Sequence, residues 1–460
     1  MKHLVIIGLG FSGAVTAIEF LNRAPAGSRL TIINRSGQMA RGLAYGTDSP
    51  DHLLNVPAGN MSALVEQSDS FLEFCKQLDP GHHSGSFVSR QMYGAYLSQL
   101  LSRAKADSCV ECESIVGEVN SIQADATGKG AIIKVDTGVC IAADKVILAF
   151  GNFPPATPAG LREVARSNLY IEDPWSADNW MVQKAAPRIL LIGSGLTAVD
   201  TLISLRRTHL AAKVTLLSRR GLLPTSHREK MPAEGFETGI VAEILAAPAT
   251  VLSYMRSIRR EVARYPERWR EVVAALRPVT SELWSRLSLV ERRRFLRHVQ
   301  PHWDVYRHRM APQTFSIFQD EIAASTVTSI AGRILSANAN DESIAVRIRI
   351  RGGVEVVESQ FDQVINCTGP CTDIGKISDA FISYLSASSI ITPDALGIGI
   401  NVDENYAVMS ESGERVEWLS YVGPMLKARF WEATAVPELR QHARALAIRV
   451  AESFARAEQG

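Results

Sequence analysis

The stretch that decides the fold is His3-Leu4-Val5-Ile6-Ile7-Gly8-Leu9-Gly10-Phe11-Ser12-Gly13. Its first five residues are a short apolar run of the kind that forms a buried parallel strand. Glycines follow at the spacing Gly-x-Gly-x-x-Gly, and a helical pattern begins behind them. Gly8 permits the tight turn, Gly10 leaves bare backbone for a pyrophosphate, and Gly13 lets helix and strand pack closely. The helix start, with Ser12 in its first turn, offers free N–H groups and a positive dipole end to phosphates. Leu30-Thr31-Ile32-Ile33 supplies the next strand, so this is a βαβ unit with a dinucleotide-binding turn. That strand ends at Asn34, where an acid ordinarily binds the ribose hydroxyls. An amide can still donate to and accept from a hydroxyl.

The same grammar returns near the middle of the chain. Arg188-Ile189-Leu190-Leu191-Ile192 runs into Gly193-Ser194-Gly195-Leu196-Thr197-Ala198, then a helical pattern and the strand Lys213-Val214-Thr215-Leu216-Leu217. Here the strand ends in Ser218-Arg219-Arg220, with no carboxylate to repel a phosphate. A guanidinium at that point can pair with the 2′-phosphate of NADPH and stack on adenine. Between the units, Asp144-Lys-Val-Ile-Leu-Ala149 reads as a strand ending at Gly151. A near copy, Phe361-Asp-Gln-Val-Ile-Asn-Cys-Thr-Gly369, follows late in the chain. The expected fold is therefore α/β, with two Rossmann-like dinucleotide-binding domains and a helical insertion. Residues 1–180 are expected to hold the first part of a dinucleotide-binding domain. Residues 185–325 would form an NADPH-binding domain with an Arg-rich helical insert at about 235–310. Residues 326–460 would complete the first domain and end in a long amphipathic helix from Val436 to Ala457.

Composition narrows the function. The chain has 460 residues with 46% hydrophobic and 21% charged, the balance of a compact globular protein. Forty-nine basic against 48 acidic residues give a net charge of +1, so no global field selects nucleic acid or an acidic membrane. The insert is the exception, since residues 250–310 carry 14 Arg against six Asp plus Glu. Either solvated helix faces with Glu–Arg pairs or an anion-binding surface would explain that excess. The opening Met1-Lys2-His3 runs straight into a strand and lacks the layout of a signal peptide. No apolar stretch has the length of a membrane span. A cytoplasmic setting is expected, with the oligomeric state left open.

The motifs also carry a resemblance. Gly8–Gly13, Arg41-Gly-Leu-Ala-Tyr-Gly46, His52-Leu-Leu-Asn-Val-Pro-Ala-Gly-Asn-Met61 and Ile147-Leu-Ala-Phe-Gly151 resemble a family of FAD/NAD(P)-binding proteins. So do Gly193–Asp200, Ser218–Pro224, Trp303-Asp-Val-Tyr-Arg-His-Arg-Met-Ala-Pro312 and Trp431-Glu-Ala-Thr-Ala-Val-Pro-Glu-Leu-Arg440. That family sits with the two-dinucleotide-domain flavoproteins, which include N-hydroxylating and other class B monooxygenases. The resemblance spans essentially the whole chain and is specific for family, not for substrate. It implies FAD in the first unit, held by Gly8, Gly10, Ser12, Gly13, Asn34, Arg41, Ala44, Tyr45 and Gly151. Leu54, Asn55, Val56 and Met61 would line the flavin ring, with Gly369, Thr434 and Ala435 approaching from the C-terminal third. NADPH would lie on Gly193, Gly195, Leu196, Thr197, Ser218, Arg219 and Arg220. Two departures stand out: Asn34 replaces the common acid, and Ala149-Phe150-Gly151 replaces Ala-Thr-Gly.

Other chemistry is weaker. Cys109 and Cys112 fall in Cys109–Ile122, which reads as strand, where i and i+3 point to opposite faces. A disulfide needs Cα atoms within roughly 7 Å. Cys367 and Cys371 flank a Gly-Pro turn and could approach each other, but no Cys pair sits on a helix beside either nucleotide turn. No His/Cys/Asp/Glu grouping has zinc spacing, and no metal is expected. His82-His83 lies in a Gly/Ser-rich loop and reads as solvated. Arg307, His308 and Arg309 are candidates for holding an anionic substrate, with structural pairing as the alternative. The expected function is an FAD-containing, NADPH-dependent monooxygenase that N-hydroxylates a small-molecule amine with O₂ through a flavin C4a-hydroperoxide. Asn55 is the candidate catalytic residue, as a hydrogen-bond partner to that hydroperoxide or to the nicotinamide. The alternatives are an NADPH-dependent flavin reductase serving another acceptor and a non-enzymatic nucleotide-binding redox sensor.

Overall fold

Leu4, Val5 and Ile6 have no exposed surface, and a strand apolar on both faces must lie inside a sheet covered on both sides. The computed structural model, which describes residues 1–176, 184–229 and 236–459, places His3–Ile7 accordingly. It lies inside a six-stranded sheet ordered Ala407–Met409, Arg415–Tyr421, Lys145–Leu148, His3–Ile7, Arg29–Asn34, Glu111–Val116. All pairings are parallel except that of the outer Ala407–Met409. Helix Phe11–Leu21 is buried along its whole length. It packs against helix Arg90–Asp107 and the C-terminal helix Val436–Gln459, where Phe20 meets Phe454 edge-to-face at 5.8 Å. The C-terminal helix thus packs on the first glycine-turn unit. A small antiparallel sheet, Val119–Ala124, Ala131–Val135 and Cys140–Ala143, is appended to it.

The second sheet runs Val356–Phe361, Ile344–Ile350, Val327–Ala339, Lys213–Ser218, Arg188–Ile192, Gln363–Asn366, Tyr170–Ile171. This moves the expected boundary at 326. Val327–Ala339 pairs in parallel with Lys213–Ser218 and then turns back on Ile344–Ile350 across a bulge between Ile334 and Ser336. Gln363–Asn366 flanks Arg188–Ile192 on its other side. The reason is burial: Val214, Leu216 and Leu217 are at most 2% exposed, and that requires a neighbour on each edge. The 326–366 segment therefore belongs to the second sheet, and Tyr170–Ile171 belongs there too. The expected limit at 180 and the expected insert start at about 235 lie outside the described residues. The strand reading of Cys109–Ile122 is broken at Gly117, whose N–H donates to the Asn34 carbonyl at 3.1 Å.

The insert is helical, with described helices from Ile240–Ala246 to Gln300–Arg307. Its own core gathers Ile240, Ile244, Val272, Leu276, Leu283 and Trp284, and Trp431 of the first domain is buried in it. No described helix is long and apolar enough to cross a membrane.

Candidate functional site

The two glycine turns are built alike. Gly8 donates its N–H to the Ile33 carbonyl and Gly193 to the Leu217 carbonyl, each at 2.8 Å. Gly8 has φ +97° and Gly193 φ +111°, in the left-handed region that favours glycine. A Cβ on Gly8 would stand 2.7 Å from the Ala149 carbonyl oxygen, and one on Gly193 2.4 Å from that of Cys367. A Cβ on Gly13 would stand 2.0 Å from the Gly8 oxygen. Gly10 and Gly195 differ, because their missing Cβ atoms would meet ordinary contact or open space. The helices Phe11–Leu21 and Leu196–Thr208 both open on a glycine with no side-chain cap, and neither has an acid in its first turn. Their first N–H groups are left for an external acceptor. In each turn, then, the first glycine is forced by the backbone and the second keeps a surface bare.

The first turn opens into a cleft of about 970 Å³ at the carboxyl ends of the central strands, where the strand order reverses about His3–Ile7. Gly8, Gly10, Ser12, Asn34, Arg41, Ala44, Tyr45, Gly151 and Thr434 line it, so nine of the expected residues come together there. Asn34 ties the turn together: its Oδ1 accepts from the Leu9 N–H at 3.1 Å and its Nδ2 donates to the Ser36 carbonyl at 2.6 Å. Gly42 (φ +56°) lays its backbone over Gly10. Tyr45 packs edge-on to Tyr93 at 4.6 Å, and burial pushes its hydroxyl up to about 12. It stays a neutral donor at any working pH.

The far wall of the cleft comes from the second domain. Thr201, Ser204, Arg207 and Thr208 on helix Leu196–Thr208 face Thr47, Asp48, Ser49, His52 and Trp175. Arg90 reaches the Asp200 carboxylate at 2.6 Å, while His52 contacts Thr47 and Ser204 at 2.8 Å each. Only His52 of these wall residues stands in a motif quoted above. The others carry no sequence signal, because their role follows from how the domains meet.

The insert holds the loop that carries Thr434. Trp431 adopts φ +52° and stacks on Trp284, with ring centroids 4.7 Å apart. A bulky residue at positive φ is strained and persists only where its surroundings over-determine it. The next residue, Glu432, is 3% exposed, accepts from Trp303 Nε1 at 3.0 Å and forms an ion pair with Arg307 at 3.1 Å. Arg307 is thereby placed in an ion pair, and His308 is half-buried and held neutral, its ring pushed down to about 3 mainly by desolvation. Arg309 has no carboxylate partner among the described residues. Burial, with Arg270 and Arg307 nearby, lowers it to about 10. His227 donates from Nε2 to the Asn55 carbonyl at 2.9 Å and is lowered to about 4, chiefly by burial and by Arg309.

Other expected positions lie elsewhere. Leu54 and Met61 belong to the core, and neither they nor Asn55, Val56, Gly369 or Ala435 line the cleft. Gly193, Gly195, Leu196 and Thr197 form the second turn but do not line it either. Arg219 and Arg220 line a separate pocket of about 510 Å³, joined by Arg297, Arg333, Arg349 and Arg351. All six cysteines are free thiols. Cys367 donates to Thr201 and is pushed up to about 12 by burial, and no cysteine lines the cleft. No group of three metal-ligating side chains occurs among the described residues.

Two nucleotide-type βαβ units, the second inserted into the first, with the C-terminal helix closing the first, define the fold of the two-dinucleotide-domain flavoproteins. Residues 5–153 match a family model described as FAD-NAD(P)-binding. No curated protein sequence matches the chain. Among solved structures, it is similar to ornithine N-hydroxylase from Kutzneria sp. 744, captured with reduced FAD, NADP⁺ and L-ornithine. The TM-score is 0.66 at 13% identity, over 98% of this chain and 99% of that one. The cadaverine monooxygenase of desferrioxamine biosynthesis from Erwinia amylovora, bound to FAD, gives 0.64 at 11% identity over 98% and 94%. L-lysine 6-monooxygenase from Pseudomonas syringae gives 0.63 at 16% identity over 99% and 100%.

Proposed function

We propose that the protein is an FAD-containing, NADPH-dependent monooxygenase that N-hydroxylates a small-molecule amine. The observation that carries this is the pair of matching glycine turns, each opening an uncapped helix, on a chain that aligns end to end with three amine hydroxylases. FAD, reduced by NADPH and reoxidised by O₂, supplies the oxygen-transfer chemistry when bound. The chain's own residues bind, orient and exclude water. Gly10 and Ser12 present bare backbone and N–H groups to the flavin's pyrophosphate, and Asn34 holds the turn beneath its ribose. Gly195 and the start of helix Leu196–Thr208 do the same for the second nucleotide, whose 2′-phosphate pairs with Arg219. Thr434, fixed by the Trp431–Glu432 clamp, approaches the ring end of the cleft. Asn55, the candidate hydrogen-bond partner of the flavin or the nicotinamide, stands outside the cleft lining with its carbonyl bonded to His227.

Thiol chemistry is disfavoured, because the cysteine nearest a nucleotide turn, Cys367, is buried and held protonated. A direct test incubates the flavin-loaded protein with NADPH, O₂ and a panel of primary amines, ornithine, lysine and cadaverine among them. Hydroxylated amine in proportion to NADPH consumed is expected. If no amine is hydroxylated and quinones take electrons much faster than O₂, a flavin reductase replaces this reading.

A further inference from the structure

The pocket at the end of Lys213–Ser218 has two walls. One is the strand end itself, Arg219 and Arg220. The other is built by Arg333, Arg349 and Arg351 of the Val327–Ala339/Ile344–Ile350 hairpin, with Arg297 of the helical insert between them. None of the six guanidinium groups pairs with a carboxylate among the described residues. Arg220 and Arg351 instead brace the pocket, donating to the carbonyls of Arg297 at 2.5 Å and Arg220 at 3.1 Å. Arg333 and Arg349 are direct partners across the antiparallel ladder. Like charges so placed destabilise a sheet, whereas the neighbouring Arg347 has Glu358 at 3.9 Å. Six arginines line about 510 Å³. A 2′-phosphate, carrying at most about two negative charges, leaves most of them uncompensated.

We infer that the hairpin wall is a second phosphoryl-binding site, so that the pocket takes a multiply phosphorylated small molecule that excludes NADPH. The inference rests on the assignment of Arg219 to the NADPH 2′-phosphate, because competition requires both ligands to share the pocket. Phosphate–guanidinium contacts are charge-assisted and bidentate, and three of them on a fixed β-hairpin select a ligand with more than one phosphoryl group. Occupancy would make NADPH oxidation sensitive to the level of phosphorylated metabolites.

The probes are inorganic pyrophosphate and tripolyphosphate, with sulfate at equal ionic strength as control. Both polyphosphates should inhibit NADPH oxidation competitively and raise the melting temperature of the wild-type protein, and sulfate should do neither. The double variant Arg333→Gln, Arg349→Gln should weaken pyrophosphate about tenfold or more and weaken NADPH by a clearly smaller factor. Removing an opposed charge pair should also raise its ligand-free melting temperature, which checks that it folds. Equal inhibition by sulfate would overturn the inference, as would equal losses for pyrophosphate and NADPH in the variant. The cofactor assignment fails separately, if Arg219→Ala leaves NADPH affinity unchanged.

Discussion

Gly10 and Gly13 stand three residues apart in one turn and answer to different demands. A Cβ on Gly13 would lie 2.0 Å from the Gly8 oxygen, whereas one on Gly10 would meet only Gly42 Cα at 3.6 Å. Gly13→Ala should therefore damage folding, seen as loss of soluble protein or a large drop in melting temperature. Gly10→Val should fold and lose flavin, because its branches fill the space the pyrophosphate needs. Stoichiometric FAD in a folded Gly10→Val protein would remove the first unit from the cofactor's binding. Arg219 makes a comparable case on the second unit. A charge-assisted contact of the proposed kind is worth roughly 1.5–3 kcal/mol, so on that reading Arg219→Ala should weaken NADPH about ten- to a hundredfold and leave NADH nearly unchanged. The glycine turns were legible because turn sterics act locally. Asn34 was half legible: its place at the strand end was readable, but its bonds to Leu9 and Ser36 depend on where two loops come to rest.

At the scale of elements, the Arg-rich insert shows how a basic run can mislead. Most of its arginines are spent within the protein: Arg260 on Glu243, Arg264 on Glu261, Arg277 on Glu438 and Arg286 on the carbonyls of Leu245 and Ala247. Helical periodicity made the insert readable as helices, yet nothing in it announced that Trp284 would receive Trp431. Arg307 is the decisive member. It is 10% exposed and its partner Glu432 3%, and removing one half of a buried pair typically costs about 3–5 kcal/mol. Arg307→Met should lower stability by that order, and Arg307→Met with Glu432→Gln should recover much of it, since Gln still accepts from Trp303. If Arg307→Met instead raises the KM for an amine substrate with the melting temperature unmoved, Arg307 is a substrate ligand. The boundary at 326 failed for a related reason. An alternating strand pattern says that a strand exists, but not which of two sheets it joins.

Over the whole molecule, burial has set the charge of several histidines. His227 and His442 are lowered to about 4 and His308 to about 3, each chiefly by desolvation. Unfolded, each would titrate near 6.5, so between those values the unfolded chain binds more protons and stability rises with pH. The melting temperature should hold above about pH 6.5 and fall as pH drops toward 4, and a flat profile from pH 7 to 5 would contradict neutral burial. The same large-scale arrangement bears on the reaction. The duplicated βαβ grammar was legible end to end, whereas the wall that helix Leu196–Thr208 lends to the flavin cleft emerged only from the domain packing fixed by Arg90–Asp200 and His52–Ser204. An oxygenase must keep its reactive flavin dry until the substrate is attacked. A second nucleotide anchored through Arg219 and lying across the domain boundary is suited to that. Coupling should then depend on Arg219 even when NADPH saturates the enzyme. With a hydroxylatable amine present, the wild type should convert most NADPH to hydroxylated product, while Arg219→Ala should release a larger share as H₂O₂. The measurement is product and peroxide per NADPH consumed at several NADPH concentrations, with NADP⁺ added back. Peroxide yield that is high in both proteins and indifferent to NADP⁺ would mean that the second nucleotide delivers hydride and leaves, and that the cleft does not protect an oxygen-transfer step.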